Sequence, residues 1–148
     1  MNFRKATLND IQKIVEFSFN LAKETENKEL NKEILTKGTE NLIKDSSKGI
    51  FYVVENNNEI IAQIMTTYEW SDWRNGDFIW IQSVYVKSEY RKQGIFKKMY
   101  NEIKEICESS DKYVGLRLYV ETENESAKTT YESLGMKKCD YFMYEYEK

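Results

Sequence analysis

Val84-Tyr85-Val86-Lys87-Ser88-Glu89-Tyr90-Arg91-Lys92-Gln93-Gly94-Ile95-Phe96-Lys97-Lys98 holds the transition that decides how this chain folds. Its first residues close a run from Phe78 that is rich in β-branched and aromatic side chains, which predicts a strand. From Ile95 onward the apolar residues fall at Met99, Ile103, Ile106 and Cys107, the spacing of an amphipathic helix. A strand therefore passes through a basic turn into a helix. Helix N-termini carry unpaired N–H groups and a partial positive charge, which together hold phosphate. Gly94 permits close backbone approach there, and Arg91, Lys92, Lys97 and Lys98 surround the turn with cations suited to a pyrophosphate. Taken alone, one glycine in a basic turn fits a plain structural joint equally well.

Upstream of this joint the pattern is β-rich. Ile50 to Val54 predicts a strand, Glu55-Asn56-Asn57-Asn58 a turn, and Ile60 to Tyr68 a second strand. Glu69-Trp70-Ser71-Asp72-Trp73-Arg74-Asn75-Gly76 reads as a Trp-rich loop ending in the Asn-Gly turn signal, so three successive antiparallel strands are expected. Before them, Asn2 to Ala6 reads as a short strand. Thr7 to Asp10 offers capping oxygens ahead of Ile11, Ile14, Val15 and Leu21 at near-helical spacing. A second amphipathic stretch holds Leu30, Ile34, Leu35, Leu42 and Ile43, weakened by Gly38. Downstream, Val114, Leu116, Leu118 and Val120 alternate as a strand, a helix runs from about Asn124 to Leu134 and stops at Gly135, and Tyr141 to Tyr146 reads as a closing aromatic strand. The predicted order is β-α-α-β-β-β-α-β-α-β.

Composition narrows the chemistry. A chain of 148 residues without repeats, linkers or proline predicts one domain over 1–148. Neither an 18-residue apolar run nor an apolar stretch after Met1-Asn2-Phe3-Arg4-Lys5 is present, so neither membrane insertion nor secretion is expected, and a cytoplasmic location follows. The chain has no histidine, which removes a Ser-His-Asp triad, a Cys-His dyad and nearly every common zinc site, and no metal is expected. Cys107 and Cys139 form no CxxC pair and read as reduced thiols. With 22 basic and 25 acidic residues interspersed, the broad basic face of a nucleic-acid binder is missing.

The segment Arg91-Lys92-Gln93-Gly94-Ile95-Phe96 resembles the acyl-CoA signature of the GCN5-related N-acetyltransferase (GNAT) family: Arg or Gln, two residues, Gly, one residue, then Gly or Ala. Some thirty residues on, Asn124, Ala127, Tyr131 and Gly135-Met136 are similar to a second helix pattern of that family. Two patterns in the correct order are more specific than either alone. The resemblance implies an α+β, three-layer fold with a mixed, mostly antiparallel central sheet flanked by helices. It also implies an acyl-CoA-dependent N-acyltransferase, with acetyl-CoA as co-substrate and a small-molecule or peptide amine as acceptor. Phe96 departs from the pattern, which has a small residue there. A fold that keeps CoA binding as a silent sensor or interaction domain is the alternative.

Residue by residue, the resemblance implies that the backbone of Val84, Tyr85 and Val86 pairs with the pantetheine arm as an added strand. The turn Arg91, Lys92, Gln93, Gly94, Ile95, Phe96 and Lys97 would cradle the pyrophosphate through its amides. Asn124 would bond the pantetheine, and Tyr131 would act as general acid on the departing thiolate. A base is harder to name, because Trp80, Gln82 and Ser83 precede the signature where a base is often found. Glu69 is the candidate base, with Asp72 and Glu121 the other nearby carboxylates. Trp70, Trp73 and Trp80 either wall an acceptor pocket, form part of a homodimer surface, or simply pack.

Overall fold

The computed structural model describes all 148 residues, which form two compact units, Met1–Leu118 and Tyr119–Lys148. In the first unit the elements run β1 (Asn2–Lys5), α1 (Ile11–Glu26), α2 (Lys32–Lys44), β2 (Ile50–Asn56), β3 (Glu59–Ser71), β4 (Gly76–Val86), α3 (Ile95–Glu108) and β5 (Tyr113–Arg117). Helix α4 (Glu125–Ser133) belongs to the second. The five strands form one sheet in the order β1-β2-β3-β4-β5, antiparallel except where β5 joins β4. This is the α+β, mostly antiparallel architecture expected from the sequence. No helix is long and apolar enough to cross a membrane.

Alternation within β2 explains how both sheet faces are covered. Phe51 and Val53 point one way and Tyr52 and Val54 the other, yet all four are buried. On the Phe51 and Val53 side, Ile14 of α1 and Leu42 of α2 complete an apolar cluster that Met65 also joins. Helix α3 buries Ile95, Met99, Tyr100 and Ile103, a stripe at helical spacing, and packs on β4 and β5. Gly38 does not interrupt α2, since tertiary burial of Thr39 and Leu42 outweighs its propensity of about 1 kcal/mol.

Strand β1 is fixed to the start of α1 by charge. Arg4 donates to both carboxylate oxygens of Asp10, at 2.8 and 3.1 Å, and to Glu55 of β2 at 3.1 Å. Asp10 also accepts the Thr7 backbone N–H at 2.7 Å. The Arg4 hydrogen bond holds the Asp10 carboxyl below the usual aspartate range against the opposing effect of its burial.

Three expectations are corrected. Half of the Trp-rich segment is strand: β3 extends through Ser71 and β4 begins at Gly76, leaving 72–75 as the turn, with Asn75 left-handed at φ 52°. Strand β5 ends at Arg117, short of the Leu118 and Val120 expected in it. Tyr141 to Tyr146 forms no strand. Five large apolar side chains there are exposed, Phe142 at 90%, because β-propensity supplies no ladder and a strand exists only against a partner.

Candidate active site

Strands β4 and β5 share a ladder only from Asp77↔Tyr113 to Trp80↔Arg117. Strand β4 continues to Val86, still paired with β3 through Gln63↔Tyr85 and Ala62↔Val86. Its last residues therefore have no neighbouring strand on the β5 side. Lys87 donates its amide to Ile61, which turns Lys87 and, by alternation, Tyr85 toward β3 and leaves Val86 facing the open side. The Val86 carbonyl there accepts Arg91 Nε at 2.8 Å.

Within this stretch the β3–β4 register slips by one residue between Gln63 and Met65, so that Ser83 and Val84 together oppose Ile64. Ser83 takes up the extra residue in a left-handed conformation, φ 50°. Its carbonyl turns to the side chain of Gln63, whose Nε2 donates to it at 3.1 Å and to Ser18 Oγ of α1 at 3.0 Å.

The open edge leads into the N-terminus of α3. Gly94 is the N-cap at φ 78°, and Lys92 before it is also left-handed at φ 61°. A Cβ at Gly94 would meet no protein atom, so it is conformation and not protein packing that calls for glycine here. The first hydrogen bond of the helix runs from the Lys98 amide to the Gly94 carbonyl at 3.0 Å, which leaves the amides of Ile95 and Lys97 without helical acceptors. Arg91 is committed elsewhere: besides Val86 it pairs with Glu24 of α1 at 2.8 Å and stacks on Tyr85 at 5.2 Å. Gln93 donates its side-chain amide to the Glu89 carbonyl. Phe96 lies half-buried along α3 with its ring 6.3 Å from that of Tyr100, one helical turn on.

Further along the same sheet, one face of β3, β4 and β5 carries a polar and aromatic group. By register, Thr67, Trp80 and Arg117 align, as do Glu69, Phe78 and Gly115. Glu69 Oε1 accepts both the Trp80 indole N–H at 2.9 Å and an N–H of Arg117 Nη1 at 2.8 Å. The Arg117 guanidinium sits 3.7 Å from the Phe78 ring centroid, and Gly115 makes room for that ring, since a Cβ would fall 2.9 Å from it. The Trp80 hydrogen bond, with Arg117 second, lowers the Glu69 carboxyl below its ordinary range, which keeps it charged and makes it a weak proton acceptor. Trp70 and Trp73 stand out from the hairpin at 62% and 84% exposure and do not pack it down. Burial raises the Cys107 thiol, so it is not an activated nucleophile. No cluster of three or more metal-ligating side chains is present.

In the second unit, Asn124 is the N-cap of α4 and its side-chain oxygen accepts the Ala127 amide at 3.1 Å. Tyr131 follows two turns later on the same side of the helix. Gly135, left-handed at φ 93°, ends α4 as Met136 donates back to the Tyr131 carbonyl. Burial pushes the Tyr131 phenol up from its ordinary value, which keeps it protonated.

The Acetyltransferase (GNAT) family model matches residues 8–136 of this sequence. The chain belongs to the GNAT acetyltransferase family. A crystal structure of a possible acetyltransferase from Clostridium difficile 630 is 56% identical, with a TM-score of 0.94 over 99% of this chain and 96% of that one. Two more distant GNAT-like folds are a predicted acetyltransferase with acetyl-CoA from Clostridium acetobutylicum and glucosamine-6-phosphate N-acetyltransferase from Arabidopsis thaliana. The first is 20% identical at TM-score 0.80, over 98% of this chain and 95% of that one. The second is 23% identical at TM-score 0.75, over 98% and 97%. No curated protein matches the chain. Within this GNAT chain, sequence reasoning missed Gln63, the left-handed Ser83 and Arg117. Arg117 alone had a signal, as a charge at the parity opposite to Val114, Leu116 and Leu118.

Proposed function

We propose that this GNAT chain transfers the acetyl group of acetyl-CoA to a primary amine by direct attack in a ternary complex. One observation carries the reading: the unpaired end of β4 leads straight into the amides at the N-terminus of α3. An open strand edge accepts an extended amide-bearing arm, and a helix N-terminus accepts a pyrophosphate. Lys92 and Lys97, which form no ion pair in the protein, supply further positive charge. Phe96 leaves this intact, because its ring lies along α3 and the contacts required are those of backbone N–H groups.

The family resemblance and the chemistry of each group support the following roles. Val84 and Val86 turn main chain toward the pantetheine arm, whereas the main chain of Tyr85 is committed to β3. The Val84 N–H meets the thioester oxygen as that oxygen gains negative charge. The family resemblance supports Tyr131 as the donor of a proton to the departing thiolate, which a phenol held protonated by burial can do. Glu69, ionised and with both hydrogen bonds on one oxygen, attracts and orients the cationic acceptor with the other. Its lowered pKa makes it a poor final proton acceptor, so the proton of the amine leaves through water. An amine with a small or peptide framework suits this exposed carboxylate and the aromatic side chains beside it.

Thermal unfolding with acetyl-CoA, followed by release of free CoA thiol across polyamines, aminoglycosides, amino acids and peptide N-termini, tests the reading. Saturating acetyl-CoA at 100 times its dissociation constant stabilises the chain by about 2.7 kcal/mol. The absence of any stabilisation removes the CoA site; stabilisation without thiol release on any amine favours a silent sensor.

A further inference from the structure

Gln63 is the most completely enclosed polar side chain in the fold, at 0% exposure, and it sits in the middle of β3 where an apolar residue would pack without penalty. Its Oε1 is the one buried side-chain polar atom without a hydrogen-bond partner. An unmatched buried acceptor loses its hydration with nothing in return, so the residue is a poor choice for stability alone. Its Nε2 makes two bonds, to Ser18 Oγ at 3.0 Å and to the Ser83 carbonyl at 3.1 Å. The second fixes which way the amide is turned, because a backbone carbonyl only accepts and Oε1 in that place would repel it.

The carbonyl so held belongs to the peptide plane that joins Ser83 to Val84. In a trans peptide the C=O and the N–H point in opposite directions. Drawing the Ser83 oxygen toward Gln63 and α1 therefore aims the Val84 N–H away from them. Ser83 is a non-glycine residue at φ 50°, a conformation of small intrinsic preference that must be held by its surroundings. Helix α1, through Ser18, in turn holds Gln63.

We propose that Gln63 is a positioning residue: by clamping the Ser83 carbonyl it holds the β4 bulge left-handed and sets the direction of the Val84 N–H toward the thioester oxygen. This rests on the acetyl-transfer reading above and adds to it a residue on a different strand. Gln63 touches no substrate in this scheme and acts only through the peptide plane it grips.

Two variants and two readouts test the clamp. Gln63→Leu keeps the volume and removes the donor; Gln63→Leu combined with Ser83→Gly lets the backbone adopt positive φ without support. In Gln63→Leu the NMR shifts of Ser83 Cα and Cβ move away from left-handed values. Its kcat falls roughly 10-fold or more while acetyl-CoA affinity stays near wild type, because the α3 amides are untouched. In the double variant kcat recovers, which a general packing defect would not do. Unchanged Ser83 shifts or unchanged kcat in Gln63→Leu overturn the proposal, as does a folded double variant that recovers nothing. If Gln63→Leu fails to fold, Ser83→Val with Gln63 intact resists the same φ from the other side. It lowers kcat at constant affinity if the clamp matters, and equal kcat rejects it. A wild-type chain that binds acetyl-CoA but releases no thiol with any amine sinks acetyl transfer and the catalytic meaning of the clamp together, while the Ser83 shifts still decide whether Gln63 sets the bulge.

Discussion

Trp80 donates its indole N–H to Glu69 Oε1 across 2.9 Å, from a position on β4 diagonal to Glu69 on β3. The bond, with that from Arg117, holds the Glu69 carboxyl below its ordinary range and so favours its charged form. Replacing Glu69 by Gln removes the charge and is expected to lower kcat/KM for cationic amines roughly 10-fold, with acetyl-CoA affinity unchanged. Steady-state kinetics with both substrates varied checks this. An equal loss for neutral and cationic acceptors removes the assigned role.

The pH profile follows from the same depressed pKa. Glu69, held below its ordinary range, is a poor acceptor for the amine's proton, so kcat/KM should climb with pH toward the alkylammonium pKa, near ~10. A plateau between roughly pH 6 and 8, the range of a tuned general base, would show a base that the sheet face does not supply.

Tyr131→Phe tests proton delivery. The ring and its packing are retained and only the hydroxyl is lost, so the expected result is a fall in kcat of roughly 100-fold with the dissociation constant of acetyl-CoA nearly intact. Calorimetric titration beside the rate measurement separates the two.

Gly94→Ala adds a methyl group into open space and still carries a penalty, because an L-residue at φ 78° is strained by roughly 1–2 kcal/mol. The chain should remain folded with a slightly lower Tm, and acetyl-CoA affinity should fall as the amides of α3 lose their aim. An unchanged affinity would place the phosphates elsewhere.

Asp10 gives a prediction about the fold. Its folded pKa is depressed by Arg4, so its contribution to stability is present above the unfolded aspartate pKa and is lost as pH falls through the lower folded value. Asp10→Asn should therefore destabilise the chain near pH 7 by roughly 2 kcal/mol. The gap to wild type should shrink in acid, as measured by urea unfolding at several pH values.

What could be read from the sequence divides along physical lines. Helices α1 and α3 and the β2–β3 hairpin were legible because their apolar spacing and turn residues are local signals. The extent of β3 was not, since Trp70 and Ser71 read as loop until the register with β4 is known. Tyr141 to Tyr146 shows the converse, a strand pattern with no ladder. At the candidate site, the turn at Gly94 announced itself through glycine and charge. Ser83 and Gln63 did not: a serine at positive φ looks like any serine, and a glutamine in a strand looks like a surface residue until its burial is seen. The bonds of the Arg91 guanidinium to the Val86 carbonyl and to Glu24 join residues far apart in sequence, and nothing local announces them.

The missing neighbour of β4 also bears on how the protein behaves in solution. A strand edge left open in the interior of a sheet is sticky toward any extended chain, including another copy of itself. A bound acyl donor would occupy that edge and act as a solubiliser as much as a reactant. Stocks of the protein stripped of CoA should self-associate at lower concentration than stocks saturated with it, and protein turnover in a cell short of acyl donor should be faster for the same reason.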